Sequence, residues 1–158
     1  LGLVTFSGKV EGFINDLFLG GVFTTALGKI ITNANLSTKN KDLAYSGNFK
    51  TESFNIGAFF EVDKLGEVSL SCALKGSGTD LNALQAQVKA SVFSARYNNY
   101  VYHGVEINGN FKNKLFDGSF NSTDPNANLD FTGTIDGFSL LFRVQLLEQH
   151  GFSSVVLE

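Results

Sequence analysis

The stretch EINGNFKNKLFDGSFNSTDPNANLDFTGTID, residues 106–136, repeats one short pattern three times. An apolar residue, a glycine and a second apolar residue stand at alternate positions in residues 107–111, 116–120 and 131–135. Two turn signals, Asn113-Lys114 and Asp124-Pro125-Asn126, separate these repeats. Alternation with a period of two is typical of a strand that buries one face and exposes the other to water. The stretch therefore predicts three strands joined by tight turns.

The same alternation continues towards the N-terminus of the chain, in residues 43–51, 68–75 and 84–92. Strands of parallel sheets read as continuous apolar runs, so this alternation favours antiparallel pairing. The links between the segments are short, which favours pairing of each strand with its neighbour in the chain. We predict an all-β fold with one or two short helical turns. The predicted architecture is a curved antiparallel meander sheet that forms a taco-like groove or a half-closed barrel.

Three segments depart from this alternation or leave it open. Residues 53–63 predict about two turns of helix, with Ser53 or Asn55 as the N-cap. Residues 80–84 predict a single helical turn before the next strand. Residues 138–156 fit both a strand and a helix, and we favour a strand because most of the preceding chain reads as strand.

Composition predicts one globular domain and excludes several classes of protein. The chain has 158 residues, of which 43% are hydrophobic, and a formal net charge of −3. No basic stripe is present that could neutralise phosphates, so nucleic-acid binding is not expected. The chain begins at Leu1 and contains no Met, from which we infer a single β-rich segment, residues 1–156, cut from a longer protein. We interpret residues 157–158 as a cloning scar.

Reactive side chains are few and scattered, so we expect no enzyme activity, no catalytic residues, no metal and no cofactor. The two histidines, His103 and His150, show no spacing to a nucleophile, and Cys72 is the single cysteine. Residues 124–130 superficially resemble a calcium loop. They lack the glycine and the bidentate glutamate of an EF-hand, and we expect an Asx-stabilised hairpin turn there instead.

The alternation itself predicts the functional surface. A glycine on the inner face of a strand lets the sheet bend or lets another backbone approach closely. The predicted bend glycines are Gly8, Gly47, Gly109, Gly118 and Gly133. Apolar residues of the same parity are predicted to line a groove or a core, namely Tyr45, Phe49, Leu70, Leu74, Val88, Val92, Ile107, Phe111, Phe131 and Ile135. The opposite parity is rich in Asn, Ser, Thr and Lys and is suited to water.

Several motifs within residues 45–136 occur in an order that resembles a known family. They are the Tyr97-Asn98-Asn99-Tyr100 turn, Ile107-Asn108-Gly109-Asn110-Phe111, Phe116-Asp117-Gly118, and Ser122-x-Asp124-Pro125-Asn126 leading to Leu129-Asp130-Phe131. In this order they resemble an interior segment of the TamB-type proteins of Gram-negative bacteria, which belong to the AsmA-like superfamily.

That resemblance implies a nonenzymatic segment of a long, inner-membrane-anchored protein that extends through the periplasm. Its hydrophobic groove would conduct phospholipid or assist the assembly of nascent outer-membrane proteins, with a TamA-like outer-membrane barrel as a partner of the full-length protein. The alternative is a closed β-barrel that binds one small apolar ligand. An open segment would present free strand edges and would be expected to associate edge to edge with itself.

Overall fold

The computed structural model describes residues 2–40, 42–78 and 84–136. These residues form nine strands and one helix: β1 (Thr5–Phe13), β2 (Asp16–Thr25), β3 (Gly28–Asn40), β4 (Asp42–Asn55), α1 (Ile56–Phe60), β5 (Leu65–Ser77), β6 (Gln85–Tyr97), β7 (Tyr100–Lys112), β8 (Leu115–Asp124) and β9 (Ala127–Asp136). Most of the predicted helical turn over residues 80–84 lies outside the described residues. The predicted strand over 138–156 and residues 157–158 also lie outside them.

The nine strands form one sheet in the order β1-β2-β3-β4-β5-β6-β7-β8-β9. Every strand pairs antiparallel with its neighbours in the chain, which confirms the predicted curved meander and its all-β class. Strands β1 and β9 lie at opposite edges, and the described sheet is not closed into a barrel. These strands therefore do not form the closed barrel that was the alternative prediction.

Two tight hairpins follow the predicted turn chemistry. Asn98 and Asn99 have φ angles of 47° and 67°, and Asn113 and Lys114 have φ angles of 51° and 68°. Positive φ at both central residues defines the type I′ turn, whose twist matches that of the flanking strands. These turns connect β6 to β7 and β7 to β8, as the sequence predicted.

Helix α1 confirms one predicted N-cap but is shorter than expected. The Asn55 side chain accepts a hydrogen bond from the Ala58 backbone N–H at 2.9 Å, which satisfies one of the free donors at the helix start. The backbone of Glu61 is left-handed, with φ of 56° and ψ of 40°. A left-handed residue ends a helix, so α1 stops after five residues instead of continuing for two turns.

A cluster of buried apolar residues lies beside α1. Val68, Val92 and Val105 form its centre on three adjacent strands, and Ile56 of the helix packs against them. Leu65, at the start of β5, packs against the same cluster. Among the described residues, no large side chain has less than 2% of its surface exposed. The described part of the chain is therefore a single sheet, with this cluster packed between the sheet and the helix.

Irregular pairing is concentrated at that same end. The register shifts between Thr51 and Phe54 in β4, and again between residues 65 and 70 where β5 meets β6. Extra residues of this kind bend a strand and increase its local twist. They let the chain leave β4, form α1 and return as β5.

Candidate functional site: an apolar sheet face

The alternate positions that carry most of the apolar residues line up with one another across the whole sheet. They form four rows, each with one residue from every strand. Following the paired residues from β1 to β9, row 1 runs from Gly12 to Ile135, row 2 from Val10 to Gly133, row 3 from Gly8 to Phe131 and row 4 from Phe6 to Leu129. The register irregularities all lie outside these rows, so each row is unbroken. Paired residues in antiparallel strands project to the same side, so the rows together define one face. We call it the apolar face.

All ten predicted lining residues have register positions on the apolar face. Row 1 contains Tyr45, Phe111 and Ile135, row 2 contains Leu74 and Val88, row 3 contains Phe49, Ile107 and Phe131, and row 4 contains Leu70 and Val92. Val92 and Phe131 are buried, with 9% and 8% of their surface exposed. The residues therefore belong to one continuous surface although they come from five different strands.

The predicted bend glycines occupy rows 2 and 3. Gly109, Gly118 and Gly133 are consecutive members of row 2 on β7, β8 and β9. A Cβ atom added at Gly109 would lie 2.5 Å from the Asp117 carbonyl oxygen and 2.8 Å from Cζ of Phe116. Real Cβ atoms do not approach backbone oxygen so closely, so β7 and β8 leave no room for a side chain here. The Phe116 ring covers the gap that the glycine leaves.

Two shallow concavities lie along the central strands β4 to β7, and residues of both parities line them. The larger measures about 490 Å³, and its lining includes Leu74 and Val88 of the predicted groove together with the polar residues Lys75 and Lys89. The second measures about 470 Å³, lies beside it and adds Lys112. Both concavities therefore include residues of the predicted groove, and the second includes Phe111. Their positions could not be predicted from parity, because concavity depends on how the sheet twists.

The Asp124 carboxylate is buried and accepts three hydrogen bonds. Only 2% of the residue is exposed, and its oxygens accept hydrogen bonds from Tyr100 Oη at 3.0 Å and from the backbone N–H groups of His103 and Asn126, both at 2.9 Å. Burial raises the pKa of this carboxyl, but the hydrogen bonds from Asn126, His103 and Tyr100 outweigh it and leave the pKa below its ordinary value.

This arrangement forms the turn between β8 and β9. The bond from Asn126 N–H to the Asp124 carboxylate confirms the predicted Asx-stabilised hairpin. His103 itself is exposed, and its Nδ1 lies 3.0 Å from the Phe93 carbonyl oxygen. Residues 2–40, 42–78 and 84–136 contain no group of three or more His, Cys, Asp or Glu side chains that could hold a metal ion.

Cys72 lies in row 3 on the apolar face, half-buried next to Phe49. Burial raises the pKa of its thiol, and a backbone hydrogen bond from Phe49 opposes this only in part. A thiol with a raised pKa is a poor nucleophile at neutral pH, so Cys72 acts as a small apolar member of the face.

Comparison with family models, curated proteins and solved structures finds no match for this chain. The likeness to TamB-type proteins therefore rests on the sequence motifs quoted above. Within the described residues, no helix has both the length and the apolar character needed to cross a membrane.

The first three strands contribute to the apolar face more than the sequence indicated. Phe6 and Phe23 are paired in row 4, and their ring centroids lie 4.7 Å apart. Leu17 and Leu19 join rows 1 and 2 from β2. Leu17 and Leu19 could not be assigned to this face from the sequence, because Phe18 between them is also apolar and the segment lacks clean alternation.

Proposed function

We propose that this chain is a nonenzymatic wall segment of a larger, periplasm-spanning envelope protein of TamB type, and that its apolar face carries the acyl chains of lipids. One observation supports this proposal above the others. Four unbroken rows of apolar parity cross all nine strands on one face, while the opposite face is polar. A lipid tail needs a continuous apolar path more than it needs fixed polar contacts.

The dimensions of the face suit an acyl chain. Nine strands span eight spacings of about 4.8 Å, so each row is about 38 Å long. The hydrocarbon of a single bilayer leaflet is about 15 Å thick, half of a core of about 30 Å. One row is therefore longer than a fully inserted lipid tail, and several parallel rows could hold the tails of one lipid side by side.

The free edges of the sheet support a second function, assistance to nascent outer-membrane strands. Within the described residues β1 and β9 each pair on one side only. An extended segment can add to such an edge through backbone hydrogen bonds. Residues at the β1 edge are open to solvent, with Val10 54% and Phe13 80% exposed. The full-length protein would bring a TamA-like barrel to this edge as a further partner.

Crosslinking from adjacent residues on opposite faces tests the lipid proposal. A photoreactive phenylalanine analogue replaces one residue of the apolar face at a time. The positions are Phe49, Leu74, Val88 and Phe111. Matched controls replace Lys50, Lys75 and Lys89, which follow the first three residues in the sequence and project to the polar face.

After illumination with phospholipid vesicles, mass spectrometry should detect acyl-chain adducts at the four apolar positions and background levels at the three lysine positions. Lipid capture only at Lys50, Lys75 and Lys89 would contradict an apolar lipid path. Adducts to added outer-membrane polypeptide at β1 positions, without lipid adducts on the apolar face, would favour the second function.

A further inference from the structure

The side chain of Thr32 is a polar group on the apolar face, and its hydroxyl has no hydrogen-bond partner in the described part of the chain. It lies in row 3 on β3, between Gly21 and Phe49, and only 5% of the residue is exposed. Its Oγ1 is the single buried side-chain nitrogen or oxygen without a hydrogen-bond partner among the described residues. A buried hydroxyl without a partner destabilises a protein, because it has given up its hydrogen bonds to water.

Other hydroxyl groups on the same face are paired within the protein. Thr51 Oγ1 donates to the Val68 carbonyl oxygen at 2.9 Å and accepts from the Leu70 N–H at 3.1 Å. Ser122 Oγ accepts from the Asp124 N–H at 3.4 Å. The unpaired hydroxyl of Thr32 is therefore not a general consequence of placing hydroxyl side chains on this face.

The surroundings of Thr32 can admit a ligand. The two row 3 residues on its β1 side are Gly21 and Gly8, neither of which has a side chain. The two backbones approach closely here, because a Cβ atom at Gly8 would lie 2.3 Å from the Gly20 carbonyl oxygen and one at Gly21 would lie 2.5 Å from the Ser7 carbonyl oxygen. The ring of Phe6 is the side chain that lies over both glycines, at 2.9 and 3.0 Å from their Cβ positions, and it belongs to the edge strand. Movement of this one ring would uncover the glycine surface beside Thr32.

We infer that Thr32 binds the ester carbonyl oxygen of an acyl lipid, an inference that rests on the proposed acyl-binding function. The Thr32 hydroxyl donates to the carbonyl, which satisfies both groups away from water. From Thr32 the acyl chain follows row 3 across Phe49 towards Phe131 on β9. That path covers six strand spacings, about 29 Å, which is enough for a lipid tail. The polar headgroup then lies towards the β1 edge.

Two lipids that differ in one carbonyl group test this assignment. The probes are 1-palmitoyl-lysophosphatidylcholine, which has an ester, and 1-O-hexadecyl-lysophosphatidylcholine, which has an ether at the same position. Isothermal titration calorimetry with each lipid below its micelle concentration gives the dissociation constants for the whole chain. The native protein should bind the ester about fivefold more tightly, since a net hydrogen bond contributes about 1 kcal/mol.

Three variants separate Thr32 from the rest of the face. Thr32→Val should bind the ester only as tightly as the ether, because it has the same shape and no hydroxyl. Thr32→Ser should keep the ester preference. Thr51→Val, on the neighbouring strand, should also keep it, because the Thr51 hydroxyl is already paired within the protein.

The outcomes distinguish this inference from the function on which it rests. Equal binding of ester and ether by the native protein would overturn the Thr32 assignment and leave acyl binding intact, and this comparison needs no variant to fold. An ester preference that persists in Thr32→Val, shown to be folded by circular dichroism, would also overturn it. Failure of the native protein to bind either lipid would overturn both the assignment and the proposed function.

Discussion

Asp124→Ala should lower the free energy of unfolding by about 2 kcal/mol. The substitution removes the acceptor of three hydrogen bonds, from Tyr100 Oη, His103 N–H and Asn126 N–H. A hydrogen bond to a charged group contributes about 1.5–3 kcal/mol, but His103 and Asn126 are exposed and their N–H groups can bond to water instead. The total is therefore close to the value of one such bond and well below the sum of three.

The effect of Asp124 should also depend on pH in a defined direction. The folded-state pKa of this carboxyl is below its ordinary value. Its contribution is therefore fully present above the unfolded pKa of about 3.9 and is lost as the pH falls through the folded pKa. The difference in stability between the native protein and Asp124→Ala should be constant from pH 5 to 8 and should narrow below about pH 4.

Urea unfolding followed by circular dichroism measures both effects. The unfolding midpoint should fall in Asp124→Ala while the slope with urea stays the same, since the surface exposed on unfolding does not change. Asp130→Asn is the matched control, because the Asp130 carboxylate is exposed and accepts one bond, from Asn121 Nδ2 at 2.8 Å. An Asp124→Ala midpoint equal to that of the control, or a difference that does not narrow in acid, would refute this reasoning.

Three further experiments test the packing of the sheet and its free β1 edge. Gly118→Val should lower the free energy of unfolding in urea by more than about 2 kcal/mol, because the new side chain would collide with the backbone of β7. Gly20→Ala should lower it by less, because the added methyl group meets only the side chain of Phe18. Thr32→Val should raise the unfolding free energy by about 1 kcal/mol and Thr51→Val should lower it by a similar amount, since only Thr51 loses partners; shifts of the same sign would contradict this. Val10→Lys, on the apolar parity of edge strand β1, should reduce self-association in analytical ultracentrifugation, and unchanged association would exclude the β1 edge as the contact.

Much of the fold was predictable because its determinants are local. Alternating polarity identifies the strands, and the Asn98-Asn99 and Asn113-Lys114 turns determine where the chain reverses. In a meander every strand pairs with its neighbours in the chain, so no long-range pairing has to be guessed. The cap at Asn55 is also a local contact, three residues long. The early end of α1 was not predictable, because a glutamate such as Glu61 does not by itself require a left-handed backbone.

The candidate site was predictable only in part, since its details depend on contacts between distant residues. Sequence parity assigns a residue to a face but does not show which residues stand opposite one another. Asp124 receives hydrogen bonds from residues 24 and 21 positions earlier, so its burial has no local signal. The unpaired hydroxyl of Thr32 likewise depends on the glycines of β1 and β2 that lie beside it in row 3.

Continuity of register connects the turns of this sheet with the function proposed for its apolar face. Because side chains alternate with a period of two, a slip of one residue at any hairpin would transfer every later strand to the opposite face. The rows would then change from apolar to polar part-way across the sheet, and a lipid tail would lose its path. The two-residue turns at Asn98-Asn99 and Asn113-Lys114 permit no such slip, and the bulges lie outside the four rows. Turn chemistry therefore determines both the strand order and the unbroken length of the surface on which the proposed acyl binding depends.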